Sequence, residues 1–567
     1  MIEQVVLLQF LVLIGNFVYQ KKTENTNIKY LIALLTMLVA FVATWILIQQ
    51  LSAPVSKFVH VYNFLSINHC EFGLLSDSLS IVSAWVVCTI TAIANCYSIG
   101  YVKKNLDMFL FYINLFSLAT VLFVSSGSLL QMFVFWEALT IISYFLVSFG
   151  NRDFSLKAAF NLVTIHKFGD IGFIIATVMI LHVFGSLNFA EINKFFIGND
   201  ACLRKLEIIS LIMLVSIFIK SAQIGATSWL KAVMRSQTPA IAMIHSSTLL
   251  TAGIFVIIRL QNLFECSEFI QNIIIWIGIS CAIVYSVKAI FAADIEEMFT
   301  YSTCSQISLM ITSCGFSAYG ATEVLFVSHA FSKAALIFAI GSVIHALSGE
   351  QDVKSMGGLF ELLPKTYVAF ILTVISLISI PLLPSYYAKK VLLNEIIGSN
   401  LSTYYVVVIL IVVASILTSI CLFRMVYIIF HGEVKLTETS LAYLNEDEKF
   451  ITYPLYVSVF FAIFSGVFFY YAAYNDVFWN DVFAFLYTED GSAIFAFSII
   501  NFVGMVAAVL ICKTIKPKKK STKFDFTVCD NLKKICALCV ENMDAKLYNK
   551  CYLFIAKKSR RNSNVSR

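Results

Sequence analysis

Four places in this 567-residue chain set ionisable side chains inside long apolar runs, where the chemistry open to them is holding and passing protons. Glu137 stands in Met132-Phe133-Val134-Phe135-Trp136-Glu137-Ala138 with no partner close in sequence. Lys220 precedes Ser221-Ala222-Gln223, and Gly225 and Pro239 beyond it are breakers. His329 and Lys333 are four apart and therefore share one helix face. Lys389 and Lys390 follow Pro381 and Pro384 inside a 35-residue apolar segment, 364–398. Such a group costs about 3 kcal/mol or more at a bilayer centre unless it is paired or hydrated. Burial disfavours a charged amine and a nearby carboxylate restores it, so moving or neutralising the carboxylate ejects or captures a proton. Glu137 beside Lys220 is the expected switchable pair. His166, Lys167, Asp170, His245, His329, Lys333 and His345 are the expected relay, joined by water. The competing reading, that such groups merely pin helices, is expensive in lipid for Glu137 and Lys220 but suits His182 near a span end. His60, His69 and His431 fall in loops, and Asp294, Glu296 and Glu297 read as a solvated turn.

Positioning these groups requires a membrane-embedded helical scaffold, and the composition provides one. Hydrophobic residues make up 59% and charged residues 13%, with mean hydropathy +0.85, far from the roughly 25% charge of a soluble domain. Runs long enough to span about 30 Å of hydrocarbon recur throughout. They fall near 3–19, 29–51, 78–101, 107–126, 128–149, 156–184, 207–228, 237–262, 270–292, 298–315, 321–349, 364–398, 402–432, 451–474 and 490–513. The expected fold is all-α integral membrane with about 15 transmembrane helices. Lysine and arginine distribution places the N-terminus outside, with Lys103, Lys104, Lys231 and the Lys-rich stretch after 513 inside. The first run lacks a basic n-region and a cleavage site, so it reads as a retained helix.

Two long segments each combine a breaker with a buried lysine, 169 positions apart, the mark of an internal transporter repeat. Five-helix units of this kind are inverted relative to each other by their odd count. The division is then 1–106 N-terminal helices, 107–262 first repeat, 263–432 second repeat, 433–513 C-terminal helices, and 514–567 an amphipathic lateral helix with a basic tail. The net charge of +6 is concentrated in that tail and suits a membrane surface such as cardiolipin, with no nucleic-acid-binding face. Fourteen cysteines are scattered singly apart from one CxxC, Cys536 to Cys539, and without a second pair no metal or redox centre is expected.

Several stretches are specific enough to indicate a family. Phe135-Trp136-Glu137, Lys167-Phe168-Gly169-Asp170, Lys220-Ser221-Ala222-Gln223, Thr238-Pro239 through His245, and His329-Ala330-Phe331-Ser332-Lys333-Ala334 resemble the antiporter-like subunits of respiratory complex I. So do Tyr301-Ser302-Thr303-Cys304-Ser305-Gln306 and Met356-Gly357-Gly358. The likeness is strong over about 70–400, and the remainder fits the branch whose C-terminus extends as a lateral helix, the chain 5 type. It implies that Glu137 is the fifth-helix glutamate, Lys220 the lysine of a broken seventh helix, and Lys389 that of a broken twelfth helix leading to the far side. His245, His329 and Lys333 would connect them, and Asp170 with Lys167 would form an ion pair biasing the site toward its neighbour.

The chain departs from the family pattern at Ala388-Lys389-Lys390, where a carboxylate usually follows the lysine, so either lysine can be the equivalent one. Lys231-Ala232, Ser236-Gln237 and Glu296-Glu297 are further departures, and no run after 513 reaches spanning length. The resemblance implies a proton-translocating membrane-arm subunit of the mitochondrial inner membrane, beside the antiporter-like chain 4, with no cofactor of its own. The rivals are a subunit of a multi-subunit sodium/proton antiporter and a non-pumping cap of the membrane arm.

Overall fold

A computed structural model of the chain describes residues 2–19, 26–51, 60–67, 70–149, 153–196, 203–234, 236–246, 248–292, 294–347, 356–380, 383–398, 404–431 and 448–474. Among these residues the chain is a mostly helical membrane protein. In order come α1 (Ile2–Tyr19), α2 (Thr26–Leu51), β1 (His60–Ile67), β2 (Cys70–Ser76), α3 (Ser78–Tyr101), α4 (Leu106–Val124), α5 (Leu129–Ser148) and α6 (Asp153–Phe184). There follow α7 (Phe189–Phe195), α8 (Leu203–Lys220), α9 (Ser228–Val233), α10 (Thr238–Ser246), α11 (Thr248–Arg259) and α12 (Gln261–Glu265). The rest are α13 (Glu268–Phe291), α14 (Ile295–Gly315), α15 (Tyr319–Ala346), α16 (Pro364–Leu377), α17 (Pro384–Gly398), α18 (Tyr404–Phe430) and α19 (Lys449–Tyr474). Eight spans among the described residues are long and apolar enough to cross a membrane, and α10 with α11 forms one of them. The expected span at 490–513 and the lateral helix at 514–567 lie outside the described residues.

The helix starts follow local chemistry. Asp77 caps α3 by accepting from the Ser80 N–H, Ser128 caps α5, and Asp294 caps α14. Pro239, Pro364 and Pro384 each sit in the first turn of a helix, where the missing N–H costs nothing. The prolines thus open helices, and the breaks precede them. The innermost helices are α3 and α15, whose most apolar stretches are wholly buried; that of α6 is only 28% buried. On α6 the exposed Ile171, Ile174, Ile175 and Val178 form one apolar stripe at helical spacing.

Two expectations are corrected. The fold is not purely helical: β1 and β2 form an antiparallel hairpin with an irregularity between Asn63 and Leu65. It is held to the bundle by Leu75 N–H donating to Ser125 O (2.8 Å) and Gly73 N–H donating to Gln131 Oε1 (3.0 Å). The hairpin covers the end of the bundle where α3 and α5 begin. Secondly, Glu296 is buried, and Glu297 pairs with Lys231 at 3.2 Å, so this turn is packed against α9 and is not a solvated loop.

Helices α13 and α14 pack closely at Gly278. A Cβ at Gly278 would lie 2.5 Å from Thr312 Oγ1 and 2.8 Å from Thr312 N, and the second of these is backbone that cannot step aside. Replacing Gly278 with Val is expected to cost about 1–3 kcal/mol by overpacking. A lowered melting temperature of the purified protein in detergent checks it, and an unchanged one counts against this close approach.

Candidate functional site

The seventh expected span breaks at its lysine. Helix α8 ends at Lys220, and the chain runs through Ala222 (φ 54°), Ile224 (φ 42°) and Gly225 (φ 78°) before α9 begins. Glycine takes such a conformation freely, whereas a β-branched residue like Ile224 is held there only by its surroundings. The holding bonds are visible. Gln223 N–H donates to Phe218 O (2.8 Å), and Ser308 Oγ from α14 donates to Gln223 Oε1 (2.6 Å). Trp229 Nε1 donates to Ile219 O (3.3 Å), satisfying one carbonyl freed at the helix end. The break leaves the Lys220 ammonium at the negative end of the helix dipole, 1% exposed.

Around Lys220 the residues of α5 and α6 close in. Lys220 Nζ donates to Trp136 O (3.1 Å) and to Thr140 Oγ1 (2.5 Å), and lies 4.5 Å from the centre of the Trp136 ring. Thr140 Oγ1 is 3.4 Å from His166 Nδ1, and the His166 ring meets the Trp229 ring edge-on. Trp136 Nε1 donates to the buried Asp170 Oδ1 (2.8 Å). Asp170 Oδ2 lies 3.3 Å from Lys167 Nζ, and Lys167 also pairs directly with Glu137. One continuous polar path thus links Glu137, Lys167, Asp170, Trp136, Lys220, Thr140 and His166.

Glu137 and Lys220 make no direct hydrogen bond: Glu137 is partnered by Lys167, and Lys220 is held by the Trp136 carbonyl and the Thr140 hydroxyl of α5. The reason is helix rotation: Glu137 and Lys167 sit on the partly open flank of α5 and α6, Lys167 side chain 49% exposed, while Trp136 and Thr140 turn inward. The contacts that link Glu137 to Lys220 run through Lys167, Asp170 and Trp136, and the Glu137 charge also acts on Lys220 directly across space.

The second group of residues lies on α10 and α15. Lys333 is fully buried, donates to Ser302 Oγ of α14 (2.8 Å), and lies 4.6 Å from the centre of the Phe299 ring. His245 packs against the same ring at 5.3 Å. Both ring nitrogens of His245 and of His329 are buried without a hydrogen-bond partner among the described residues. Buried polar atoms of this kind require water or a migrating proton donor, because leaving one unmade costs about 1–3 kcal/mol. Beside Lys333, Ser332 Oγ meets Ser376 Oγ of α16 at 3.1 Å.

The α16–α17 segment is the second broken one. Helix α16 ends at Leu377, and Ser385 Oγ of α17 donates to the Leu377 carbonyl (3.0 Å) across the break. Helix phase separates the two neighbouring lysines: Lys389 is 1% exposed, and Lys390 is half-buried. Pro381 lies outside the described residues. His345 at the far end of α15 approaches Glu448 at 3.7 Å, and His182 is exposed at the end of α6.

Sequence reading missed two features of this arrangement. Thr140, an ordinary helix residue in sequence, supplies a ligand to Lys220. Arg259 and Glu323 were passed over, although each is an ionisable residue within or at the end of an apolar run.

The chain is similar to known proteins over most of its length. Curated relatives include NADH-ubiquinone oxidoreductase chain 5 of Yarrowia lipolytica, 31% identical over 418 residues, 72% of this chain and 63% of the relative. The protein of the same name from Chondrus crispus is 33% identical over 70% of this chain and 62% of its own length. NADH-quinone oxidoreductase subunit L of Rickettsia conorii is 34% identical over 71% and 62%. The chain thus spans less than two thirds of the length of these relatives. In fold it is similar to a chain of the Mrp complex from Dietzia sp. DQ12-45-1b, with TM-score 0.76 at 17% identity over 99% of this chain and 63% of that one. It is likewise similar to a chain of an archaeal membrane-bound sulfane sulfur reductase, with TM-score 0.71 at 16% identity over 90% of this chain and 99% of that one. Residues 126–418, from the start of α5 into α18 and more than half of the chain, match the family model for the transmembrane segment shared by NADH:quinone oxidoreductases and Mrp antiporters. The chain is therefore a member of the NADH:quinone oxidoreductase/Mrp antiporter transmembrane family.

Proposed function

We propose that this chain is a proton-translocating membrane-arm subunit of NADH:ubiquinone oxidoreductase. The observation that carries the reading is the burial of Lys220, Lys333 and Lys389 within one helical bundle, interleaved with His166, His245 and His329. A structural scaffold has no need of three lysines kept from water, whereas a proton path needs groups that gain and lose a charge in place. Glu137, Lys167 and Asp170 form the input at the flank, Lys220 the first core station, His245, His329 and Lys333 the connection, and Lys389 the station on the second broken helix. Electron transfer elsewhere in the complex supplies the free energy, and this chain holds no nicotinamide, flavin, iron–sulfur centre or quinone.

The finer architecture belongs to the same proposal. About 15 spans are arranged as N-terminal helices to 106, inverted five-helix repeats at 107–262 and 263–432, C-terminal helices to 513 and a lateral helix in 514–567. The breaks after Lys220 and between α16 and α17, each in the fourth span of its unit, support the repeat. The mitochondrial inner membrane, a neighbouring chain 4 and cardiolipin complete the expected setting. The fold likeness to a chain of the Mrp complex favours one second reading, a subunit of a multi-subunit sodium/proton antiporter. Affinity purification from native membranes in mild detergent separates the two. NADH:ubiquinone oxidoreductase activity is expected to co-purify with the tagged chain, and its absence alongside sodium/proton exchange in reconstituted vesicles would favour the antiporter.

A further inference from the structure

Glu323 has no part in the path described so far. It lies in the second turn of α15, the helix that carries His329 and Lys333, and is only 7% exposed. Its Oε1 has no hydrogen-bond partner among the described residues. The carboxyl faces a small, mainly apolar cavity lined by Leu79 of α3, Thr251, Ile254 and Phe255 of α11, and Phe326 of α15. The cavity has room for about one water.

Its charged neighbours are Asp77 and Arg259. Those two pair directly with each other: Arg259 Nη1 pairs with Asp77, and Nη2 donates to Asp77 Oδ1 (3.1 Å), Ser80 Oγ (2.6 Å) and Val124 O (2.9 Å), while Arg259 Nε is buried without a hydrogen-bond partner among the described residues. Glu323 makes no direct ion pair with Arg259, whose carboxylate partner is Asp77. An isolated carboxyl with one unbonded oxygen, in a site wide enough for water, is built to exchange a proton and not to hold helices together.

Its place along α15 gives that exchange a destination. From His329 to Glu323 is six residues, about 9 Å of helix rise, so a proton passing between them would need water beyond the one that the cavity accommodates. Further buried polar atoms without partners among the described residues mark this region: both ring nitrogens of His245 and of His329, and Ser246 Oγ. Asp77, at the start of α3, and Arg259, at the end of α11, mark the end of the bundle under the β hairpin. His345, at the other end of α15, marks the opposite side.

We propose that Glu323 is a relay carboxyl that carries protons between the His329–Lys333 core and the membrane face at Asp77 and Arg259, a route separate from Lys389. The Glu323 carboxylate takes a proton from the water file on the core side and returns to carboxylate when the proton leaves toward the Asp77 face, with no other bond changed. The proposal rests on the proton-translocating reading and deepens it.

The test uses the assembled complex in sealed membrane vesicles. Glu323→Gln, which keeps size and polarity but cannot titrate, is expected to lower protons moved per NADH oxidised at least twofold at unchanged amounts of assembled complex, and Glu323→Asp to restore most of it. Lys220→Ala is run in parallel. If Lys220→Ala abolishes pumping while Glu323→Gln pumps like the parent, the relay is overturned and the pump reading stands; if both pump like the parent, both fall. A second measurement needs no variant. N,N′-dicyclohexylcarbodiimide, which adds to carboxyl groups in apolar, proton-exchanging sites, is expected to modify Glu323 in the parent complex, as read by peptide mass spectrometry. Complete absence of the adduct there, with other buried carboxyls modified, also overturns the relay.

Discussion

Replacing Lys220 with alanine is expected to remove at least nine-tenths of the proton translocation coupled to NADH oxidation. Lys220 is the meeting point of everything at the flank: Trp136 and Thr140 hold its ammonium, Asp170 reaches it through the Trp136 indole, and His166 shares Thr140 with it. Alanine offers no titratable atom, so a proton handed on from the Glu137–Lys167–Asp170 group has nowhere to go. Lys220→Arg sharpens the test, because it keeps the positive charge and much of the volume but does not release its proton. Both variants are expected to fail in pumping, as measured by quenching of a pH-sensitive dye in NADH-energised vesicles. If Lys220→Arg pumps as the parent does, charge alone suffices and Lys220 is not a carrier. Assembly, read from the amount of intact complex on native gels, is expected to suffer less in the arginine variant than in the alanine one.

The second large effect is on stability and arises at the other end of the bundle. Arg259 ties together the start of α3, the end of α4 and the end of α11 through Asp77, Ser80 and the Val124 carbonyl. Arg259→Met would leave the Asp77 carboxylate unpaired in a poorly hydrated corner, and losing one partner of a buried ion pair costs about 3–5 kcal/mol. Asp77 is a quarter exposed on its side chain, so the lower end, about 3 kcal/mol, is expected. Asp77→Asn keeps the helix cap, because asparagine accepts the Ser80 N–H as well as aspartate does. The Asp77→Asn, Arg259→Met double variant is therefore expected to regain about 1–2 kcal/mol over Arg259→Met alone, since no lone charge remains. Thermal unfolding of the detergent-solubilised protein measures both. Equal melting temperatures for the single and double variants would show that the charge pair is not what holds this corner.

The parts of the fold legible in sequence are those that depend on one segment at a time. The long helices among the described residues lie within the apolar runs, because an apolar run in lipid must satisfy its own backbone hydrogen bonds and has no other way to do so. The break after Lys220 was legible for a similar reason: Ser221-Ala222-Gln223 and Gly225 have poor helix continuity, and Pro239 can only open a new helix. Burial of Lys220 and Lys333 followed from a charge in an apolar run.

What needed the structure is relative rotation between segments. Glu137 and Lys220 both looked inward, yet α5 turns Glu137 to its flank and Trp136 to the core, and Lys167 claims the carboxylate. Lys389 and Lys390 were equivalent in sequence and differ by about 100° on α17, which is enough to bury one and half-open the other. The β hairpin lay below the hydropathy signal, since a pair of strands of seven or eight residues is too short to register among helices of twenty or more. Glu296 and Glu297 looked like any acidic turn until α9, a helix of six residues, packed Lys231 against them.

The loop after Lys220 has a mechanical consequence. In an intact helix the backbone that carries a lysine shifts only if neighbouring turns unwind, because each carbonyl is bound four residues on. Between Ser221 and Thr227 that ladder is already interrupted: the Ser221 carbonyl accepts from the Gln223 side chain, and the Ile219 carbonyl just before the break accepts from Trp229. Exchanging those contacts one for another leaves the total number of bonds nearly constant. A change of neighbours at Lys220 would therefore break fewer backbone bonds here than in the middle of an unbroken helix.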